Sequence, residues 1–423
     1  MSTEQILALV AEDPGGAPAW LDGGEERGWF GVEADVTIEA DDLGAMAAVD
    51  ELWREEPAFV WIGQLAYDVG AAALLGRAPR AGRRAGVIVR RYRAMLELGG
   101  AAPRVHGDAA AGARLRARLA AAHDRRDRSP GTWPLGPLRA LVDPEAYRAR
   151  VRAVRGFIAA GETYQVNLTQ AFAADWDPAW AGQPLAARAA AVYAGLRGAT
   201  PASMGALLAG GEGRGPSGWV VSNSPETLVA VERGRGVGGG DLARAWPIKG
   251  TRPRGTDAGR DAAQAAELLA STKDLAEHVM IVDLVRNDLG RLAVPGSVRA
   301  PRRPSLMTLP TVHHLVSEVS CTLAPGWRLA ELLAAVFPGG SITGAPKKRT
   351  VEIIDELEAR PRGLYCGAVV ALAPDGLRCS IPIRTGELDA DGLTVQSGGG
   401  IVIDSDPEAE RLEAWAKVRA FRR

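Results

Sequence analysis

The amino-acid sequence predicts an α/β fold. Short apolar runs typical of buried strands, such as Phe59-Val60-Trp61-Ile62-Gly63, alternate with longer segments whose apolar residues recur at helical spacing, such as Asp261 to Leu292. Clusters rich in glycine and proline separate these segments. With 423 residues, of which 47% are hydrophobic, the chain is long enough to bury a large core, either in more than one domain or in one large α/β unit.

The charge balance and the cysteine content exclude several classes of protein. Charged residues make up 24% of the chain and the net charge is -1, which indicates no nucleic-acid or membrane partner. The arginine-rich stretches 77–93 and 114–128 lack interleaved aromatic residues and are typical of solvated helix faces and loops. No apolar run approaches the length of a membrane span. The N-terminus has no signal-peptide character and Cys321, Cys366 and Cys379 form no Cys-x-x-Cys motif, which favours a cytoplasmic location.

The chain divides into two regions of different character. The first region, residues 1–135, contains the apolar run at Phe59 and another predicted strand from Val87 to Leu98, but few candidate functional residues. Residues 123–137 have the charge and the proline and glycine content of a linker. A helix is then predicted to begin with Asp143 as its N-cap and Pro144 in its first turn. Residues 140–423, which follow the linker, contain all the candidate site residues.

Lys249 is the first candidate catalytic residue. It lies in the run Pro247-Ile248-Lys249-Gly250-Thr251, between an apolar stretch and a loop rich in arginine and glycine, where a strand would present its amine to a pocket. A lysine is a competent nucleophile when burial or a nearby cation keeps part of it neutral. Taken alone, the motif is more typical of a surface lysine before a turn.

Two predicted helices each present a pair of carboxylates on one face. Asp274 and Glu277 are three residues apart, and so are Glu410 and Glu413 on a helix predicted to begin at Pro407. Four carboxylates without cysteine or histidine at metal-ligand spacing suit a hard cation such as Mg2+. The spacing alone is more typical of exposed charges on amphipathic helices.

Three glycine- or arginine-bearing segments are candidates for anion binding. The turn from Phe337 to Lys347 runs into a helix and could bind an anion through its free N–H groups and its lysine, although it lacks the Gly-Lys-Ser/Thr of a Walker A loop. The segment 381–385 is predicted to be an edge strand whose Arg384 could grip a carboxylate. The glycines of 398–400 would let backbone approach a ligand. An arginine on a strand surface and a tight glycine turn remain open alternatives.

Considered in order, these segments resemble one family. The resemblance is to chorismate-utilising enzymes. It runs from about residue 140 to the C-terminus, and a weaker match lies at residues 61–67. It implies two opposed, antiparallel-rich β-sheets that form a core surrounded by helices, with the active site in a cleft. The segments that carry it are Gly161 to Leu168, Ser224-Pro225-Glu226, Pro247 to Thr251, Glu277 to Gly290, His314-Leu315-Val316-Ser317, Gly340 to Lys347 and Asp404 to Pro407.

Lys249 discriminates between branches of that family. Members similar to anthranilate synthase component I have a small residue at this position, whereas the aminodeoxychorismate synthase component I branch has Pro-Ile-Lys-Gly-Thr, as here. The resemblance to that branch implies amination of chorismate at C4, on the way to 4-aminobenzoate and folate or a related metabolite. The ammonia would come from a separate glutamine amidotransferase subunit.

Two alternatives stay open at this point. One is a different reaction within the family, which would form anthranilate, isochorismate or salicylate. The other is a non-catalytic assembly subunit for a glutaminase. The presence of Lys249, Glu226 and all four carboxylates argues against the non-catalytic subunit.

The resemblance also implies a role for each site residue. Lys249 would attack C2 of the ring, Glu226 would protonate the departing hydroxyl group, and His314 would lie beside the reacting carbon. Glu277 and Glu413 would bind Mg2+ directly, and Asp274 and Glu410 would support it through water. The implied substrate-binding residues are Thr343, Gly344, Tyr365, Arg384, Gly398, Gly399 and Lys417.

The sequence departs from the family pattern in two places. The last helix reads Ala414-Trp415-Ala416-Lys417-Val418 where Thr-Leu-Asn-Lys-Ala is usual, which keeps the lysine but adds bulk, and Asp274 replaces a glutamate. Both changes could alter metal affinity or the fit of the pocket. The divergence of residues 1–135 leaves open whether they keep the tryptophan-binding pocket of some relatives.

Overall fold

Two large antiparallel sheets form the body of the protein in a computed structural model, which describes residues 2–12, 15–24, 27–82, 84–100, 102–123, 132–199, 201–211, 218–309 and 312–422. The predicted α/β class and the two opposed sheets are confirmed. Part of the predicted linker, residues 124–131, lies outside the described residues.

The first sheet has eleven strands within the described ranges. In spatial order they are β18 (Gly344–Ala345), β9 (Gln165–Asp175), β22 (Gly392–Ile401), β21 (Thr385–Leu388), β11 (Trp219–Ser224), β10 (Met204–Ala209), β1 (Ala19–Asp22), β2 (Gly28–Gly31), β6 (Ala94–Leu98) and β7 (Arg104–Gly107), with β8 (Arg139–Ala140) paired to β9.

The second sheet has eight strands and a third, small sheet has three, counted over the same ranges. The order in the second sheet is β17 (Val319–Thr322), β13 (Leu242–Ala245), β12 (Thr227–Glu232), β20 (Gly376–Ser380), β19 (Ala368–Ala373), β4 (Val60–Leu65), β5 (Val87–Tyr92) and β3 (Ala34–Ala40). The third sheet contains β14 (Ile248–Pro253), β16 (Val312–Val316) and β15 (Ser305–Thr308).

Helices cover the sheets. They are α1 (Thr3–Ala11), α2 (Ala45–Glu55), α3 (Tyr67–Leu75), α4 (Ala109–His123), α5 (Pro144–Ala159), α6 (Leu185–Ala199), α7 (Ala258–Ala270), α8 (Thr272–Gly290), α9 (Leu329–Val336), α10 (Lys347–Leu357) and α11 (Pro407–Lys417). The predicted starts of α5 and α11 are confirmed, because Asp143 and Asp406 each accept hydrogen bonds from two N–H groups of the following turn.

The core has a layer between the sheets and layers beneath the helices. Between the sheets, Trp29, Met95 and Leu208 of the first sheet belong to the same buried cluster as Ile62 and Val369 of the second. A separate cluster packs α1, α4 and α6 on the outer face of the first sheet. These apolar layers hold the two sheets in fixed positions on either side of the site.

Residues 1–135 are built into both sheets. Strand β1 pairs with β10, and β4 pairs with β19, so strands from before and after the linker are neighbours in each sheet. The segment from Val87 to Leu98, predicted to be one strand, is two: β5 in the second sheet and β6 in the first, with the chain crossing at Arg93. The domain boundary at residues 135–140 stays a prediction.

Two further predictions of local structure are wrong. The helix expected from Asp261 to Leu292 is broken at Ser271, whose side chain accepts a hydrogen bond from the N–H of Asp274 and caps α8. The segment 381–385 is irregular up to Arg384, which has φ = 51°, and β21 begins only at Thr385. Strand β21 lies between β22 and β11, so it is not an edge strand.

Candidate active site

A cavity of about 180 Å³ contains six of the fourteen predicted site residues in its wall. Predicted residues in its wall are Glu226, Lys249, Tyr365, Arg384, Gly398 and Lys417, and the other lining residues are Asn167, Ile248, Ser341, Ile342, Ile383, Gln396, Ser397 and Gly400. The wall thus combines three basic side chains with one carboxyl group. This combination suits a small ligand with more negative than positive charge.

A bulge in β14 shapes the backbone beside Lys249. The register of β14 against β16 shifts between Lys249 and Thr251, and Gly250 between them has φ = 74°. A Cβ at Gly250 would meet Leu268 Cδ1 at 2.9 Å and Asp274 Cβ at 3.2 Å. Only glycine therefore allows both the left-handed backbone and the close approach of α7 and α8.

Burial shifts the pKa values of Lys249 and Glu226 in opposite directions. Loss of solvent lowers the pKa of Lys249, and the nearby Glu277 and Glu226 carboxylates oppose that shift. Loss of solvent raises the pKa of Glu226, while a hydrogen bond from Ser341 Oγ at 2.6 Å and the Lys249 charge oppose it. The two residues therefore tend toward a neutral amine and a protonated carboxyl group, which are the forms that a nucleophile and a general acid require.

His314 lies next to the bulge and is not among the residues that line the cavity. Its Nδ1 is 3.2 Å from the carbonyl oxygen of Gly250 and 2.9 Å from Thr251 Oγ1. Burial lowers the pKa of His314, which favours the neutral ring. The ring contacts the backbone that carries Lys249, and the predicted contact with substrate stays a prediction.

Arg384 and Lys417 bring positive charge to the cavity from two different elements. The positive φ of Arg384 ends the irregular segment before β21, and burial lowers the pKa of its guanidinium while Glu226 opposes this. Lys417, at the end of α11, donates from Nζ to the carbonyl oxygen of Gly398 at 2.7 Å. Tyr365 is buried in the same wall.

The glycine-rich turn contributes Ser341 and Ile342 to the cavity and not its lysine. The Thr343 hydroxyl is fully buried and donates to the carbonyl oxygen of Gly339 at 2.8 Å. Gly344 pairs with β9, where a Cβ would lie 2.0 Å from the carbonyl oxygen of Gln165. Neither residue is among those lining the cavity, and their predicted substrate contacts are untested.

The anion site predicted at Lys347 is not supported. Its Nζ lies 2.6 Å from Asp288 Oδ2, and both side chains are largely buried. The lysine charge is therefore neutralised within the protein. Sequence spacing could not show this partner because Asp288 lies on α8, 59 residues earlier in the chain.

The four carboxylates predicted to hold Mg2+ lie on α8 and α11. The carboxylates of Glu277 and Glu413 both raise the pKa of Lys249, because each stabilises its charged form. At Gly399 a Cβ would lie 2.9 Å from Glu410 Oε2 and 3.6 Å from Glu413 Oε1, so glycine allows α11 to approach β22.

Three of these carboxylates have partners within the protein. Asp274 Oδ2 is 3.0 Å from Arg252 Nη2, Glu413 Oε1 is 2.7 Å from Lys417 Nζ, and Glu410 accepts from Ser405 at 2.6 Å. Burial raises the pKa of Glu410, with a further contribution from Glu413.

No group of three acidic, histidine or cysteine side chains within the described ranges is close enough to enclose a metal ion. Mg2+ commonly takes only one or two protein carboxylates, with water and substrate oxygens completing its shell. Glu277 and Glu413 both interact electrostatically with Lys249 in the cavity wall. Two carboxylates supply the kind and number of oxygen ligands that such an open site requires.

Several lining residues were not singled out by the sequence, namely Asn167, Ser341, Ile383, Gln396 and Ser397. They are ordinary residues in strands or turns, with no spacing that marks them. Asn167 and Ser341 lie inside segments that carry the family resemblance, and this is the signal that could have identified them.

The fold and the cavity together define an α/β protein with a partly buried lysine and glutamate in a site for a small anion. A family model described as chorismate binding enzyme matches residues 17–423, and the chain belongs to that family. In the part of the chain that the structure describes, no helix combines the length and apolarity that crossing a membrane would require.

Curated relatives fall into two groups by name. Aminodeoxychorismate synthase component 1 of Salmonella typhimurium is 42% identical over 273 residues, covering 64% of this chain and 56% of the relative. Anthranilate synthase component 1 of Cereibacter sphaeroides is 39% identical over 291 residues, covering 68% and 54%. The chain thus spans little more than half the length of these relatives.

Solved structures support the same fold. Anthranilate synthase component I from Streptococcus pneumoniae superposes with a TM-score of 0.77 and 26% identity, covering 94% of this chain and 92% of that structure. The menaquinone-specific isochorismate synthase of Escherichia coli gives a TM-score of 0.75 at 16% identity, with coverage of 99% and 91%, which bears on the fold alone.

Proposed function

We propose that this chain is the chorismate-aminating component of an aminodeoxychorismate synthase, which converts chorismate and ammonia to 4-amino-4-deoxychorismate and water. The observation that carries the proposal is Lys249 in the wall of the cavity beside Glu226, with burial favouring the neutral amine. The name of the 42% identical relative from Salmonella typhimurium supports the same reaction.

Lys249 is the proposed nucleophile. Its nitrogen lone pair forms a bond to C2 of the ring, the ring double bonds shift, and the bond between C4 and the hydroxyl oxygen breaks. Glu226 gives its proton to that oxygen, which leaves as water. The shift in the Glu226 pKa supports this role because a carboxyl group can act as an acid only where it is protonated.

Ammonia completes the reaction. Its nitrogen forms a bond to C4, the double bonds shift back, and the bond between C2 and the Lys249 nitrogen breaks, which frees the amine. The proton that ammonia loses can restore Glu226 to its acid form, so the cycle needs no further reactant. A separate glutamine amidotransferase subunit is the proposed source of the ammonia, as the designation component 1 of the relatives suggests.

Arg384, Lys417 and Tyr365 are the proposed partners of the two substrate carboxylates. Lys417 reaches the cavity wall from α11 and Arg384 from the segment before β21, and Lys417 donates to the backbone of Gly398. Arginine can bind a carboxylate through two parallel hydrogen bonds, which fixes its orientation. Thr343 and Gly344 would affect substrate binding indirectly, by fixing the conformation of the glycine-rich turn.

Mg2+ is the proposed cofactor. Glu277 and Glu413 would hold it directly and Asp274 and Glu410 through water, and the ion would neutralise and orient the ring carboxylate. Because Lys417 contacts Glu413 at 2.7 Å, this lysine would have to exchange that partner for substrate.

Anthranilate formation is the second candidate. The 39% identity to an anthranilate synthase component 1 and the 26% identical solved structure favour it. Lys249 argues against it, since the members that resemble anthranilate synthase have a small residue there. The folate route and tryptophan binding by residues 1–135 stay predictions, and equilibrium dialysis with labelled tryptophan would test the second.

The decisive experiment is mass spectrometry of the products that purified protein forms from chorismate, ammonium and Mg2+ at mildly alkaline pH. We expect 4-amino-4-deoxychorismate from wild type, loss of this product or its replacement by anthranilate in Lys249→Ala, and no product with EDTA. Lys348→Ala removes an exposed lysine outside the cavity and should behave as wild type.

Other outcomes would assign the chain differently. Anthranilate, isochorismate or salicylate from wild type would contradict the proposed reaction. No consumption of chorismate with any source of ammonia would favour the non-catalytic assembly subunit.

A further inference from the structure

Asn167 and Gln165 lie on the side of β9 that faces the cavity. Asn167 is directly opposite Gly400 in the register of β9 and β22, and both residues are part of the cavity wall. Gln165 precedes Asn167 by two residues and therefore points to the same face of the strand. Its amide lies against Gly400, where a Cβ would come within 2.9 Å of Gln165 Nε2.

Both side chains are buried with polar atoms that have no hydrogen-bond partner. Asn167 is 8% exposed and Gln165 is 0% exposed. Asn167 Nδ2, Gln165 Nε2 and Gln165 Oε1 have no partner within the described ranges. Such groups are rare in proteins, because an unpaired buried amide costs free energy, and each one calls for an explanation.

The backbone of Asn167 is fixed on both sides. Its N–H donates to the carbonyl oxygen of Thr343 at 2.7 Å, and its own carbonyl oxygen accepts from Arg362 Nη2 at 2.6 Å. Arg362 is buried and ion-paired with Glu358, so this anchor is itself rigid. The backbone that carries the Asn167 side chain is therefore held in place at the cavity wall before any ligand arrives.

We propose that Asn167 forms a neutral hydrogen-bonding subsite for the substrate, in which its Nδ2 donates to a carboxylate oxygen of chorismate. Gln165 does not line the cavity, and its buried amide, packed against Gly400, would support that wall from behind. Arg384 and Lys417 in the wall attract a dianion, and the bidentate geometry of Arg384 can orient only one of its two carboxylates. An amide N–H group donates a directional hydrogen bond to a substrate oxygen without adding charge to the site. The inference rests on the proposed function in taking chorismate as the ligand.

The test measures chorismate binding by isothermal titration calorimetry in a Lys249→Ala parent, with Mg2+ and without ammonia so that no aminated product forms. Asn167→Ala should bind about 10- to 100-fold more weakly, the usual effect of losing a hydrogen bond to a charged group. Asn167→Asp should bind more weakly still, because its carboxylate would face an anion. In the wild-type background, Asn167→Ala should raise KM more than it lowers kcat.

Gln170→Leu is the matched control. Gln170 lies on the same strand, is 3% exposed and also has an unpartnered Nε2, but it points to the opposite face and does not line the cavity. It should bind chorismate as the parent does. Thermal unfolding of each variant separates misfolding from loss of the contact, and Gln165→Leu provides a second variant if Asn167→Ala is poorly folded.

The results separate this inference from the proposed function. Folded Asn167→Ala and Gln165→Leu variants that bind within about twofold of the parent would overturn the subsite, since a hydrogen bond to a charged group contributes more than that. Equal binding by Asn167→Ala and Asn167→Asp would do the same. A parent that binds no chorismate overturns both proposals, whereas normal binding with a different wild-type product overturns only the reaction.

Discussion

At the scale of single residues, the site depends on two groups that burial shifts toward their uncharged forms. Lys249 becomes easier to deprotonate and Glu226 becomes harder to ionise, yet each charged form would stabilise the other. Their protons therefore leave in two coupled steps that belong to the pair. Both residues line a cavity of about 180 Å³, where burial favours their uncharged forms and offsets the mutual attraction of their charged forms.

We expect a bell-shaped dependence of kcat/KM on pH. The rate falls at low pH because protonation of Lys249 removes the lone pair, and at high pH because Glu226 loses its proton. Burial lowers the pKa of Lys249 and raises the pKa of Glu226, so the active form, with a neutral amine and a protonated carboxyl group, is more populated than it would be in solvent. Steady-state rates across pH measure both limbs.

Two variants would show which residue gives rise to each limb of the pH profile. Glu226→Gln should remove the alkaline limb and lower kcat by about 10²- to 10⁴-fold. Ser341→Ala should raise the pKa of Glu226 and move one limb of the profile to higher pH, because the lost hydrogen bond stabilises the Glu226 carboxylate. An alkaline limb that is unchanged in both variants would show that Glu226 is not the acid.

At the scale of elements, one buried ion pair holds the strand and the turn that form two walls of the cavity. Arg362 donates to the carbonyl oxygens of Asn167 in β9 and Ile342 in the glycine-rich turn, at 2.6 and 3.1 Å. Glu358 accepts from Arg362 and from the N–H of Thr169. Both charged side chains are almost completely buried, so each depends on the other.

Arg362→Leu should destabilise the protein by about 3–5 kcal/mol, the usual cost of leaving one partner of a buried pair uncompensated. The double variant Arg362→Leu, Glu358→Leu should recover part of that loss in urea denaturation. It should stay impaired in chorismate binding, because the hydrogen bonds to Asn167 and Ile342 are still missing. A single variant as stable as wild type would contradict this account.

At the scale of the whole molecule, the two regions predicted from the sequence share both sheets. Strand β1 extends the sheet that contains β9 and β22, and β4 and β5 extend the sheet that contains β12. Trp29, Ile62 and Met95 from the first region fill the space between the sheets. The candidate site therefore lies on a framework to which both regions contribute.

We expect that residues 140–423 do not fold alone. Removal of residues 1–135 would expose the edges of β10 and β19 and leave the layer between the sheets half empty. Circular dichroism and urea unfolding of the purified fragment would show no cooperative transition, whereas co-expression with residues 1–135 should restore one. A fragment that unfolds cooperatively by itself would support two separate domains.

The sequence by itself determined the fold class, the helix starts at Asp143 and Asp406, and the family. These depend on local periodicity, on caps that act within one turn, and on ordered motifs. It also pointed to six of the residues that line the cavity, because these lie within or beside such motifs.

Only the tertiary structure decided which residues face the same cavity. The partner of Lys347, the division of 87–98 between two sheets, and the unpaired amide of Asn167 all depend on contacts between segments far apart in the chain. The break at Ser271 rests on a cap within one turn that the sequence already contains. The backbone of Arg384, by contrast, depends on which of several local conformations packing selects. Periodicity has no information about such contacts, because they are set by how elements pack and not by their own sequence.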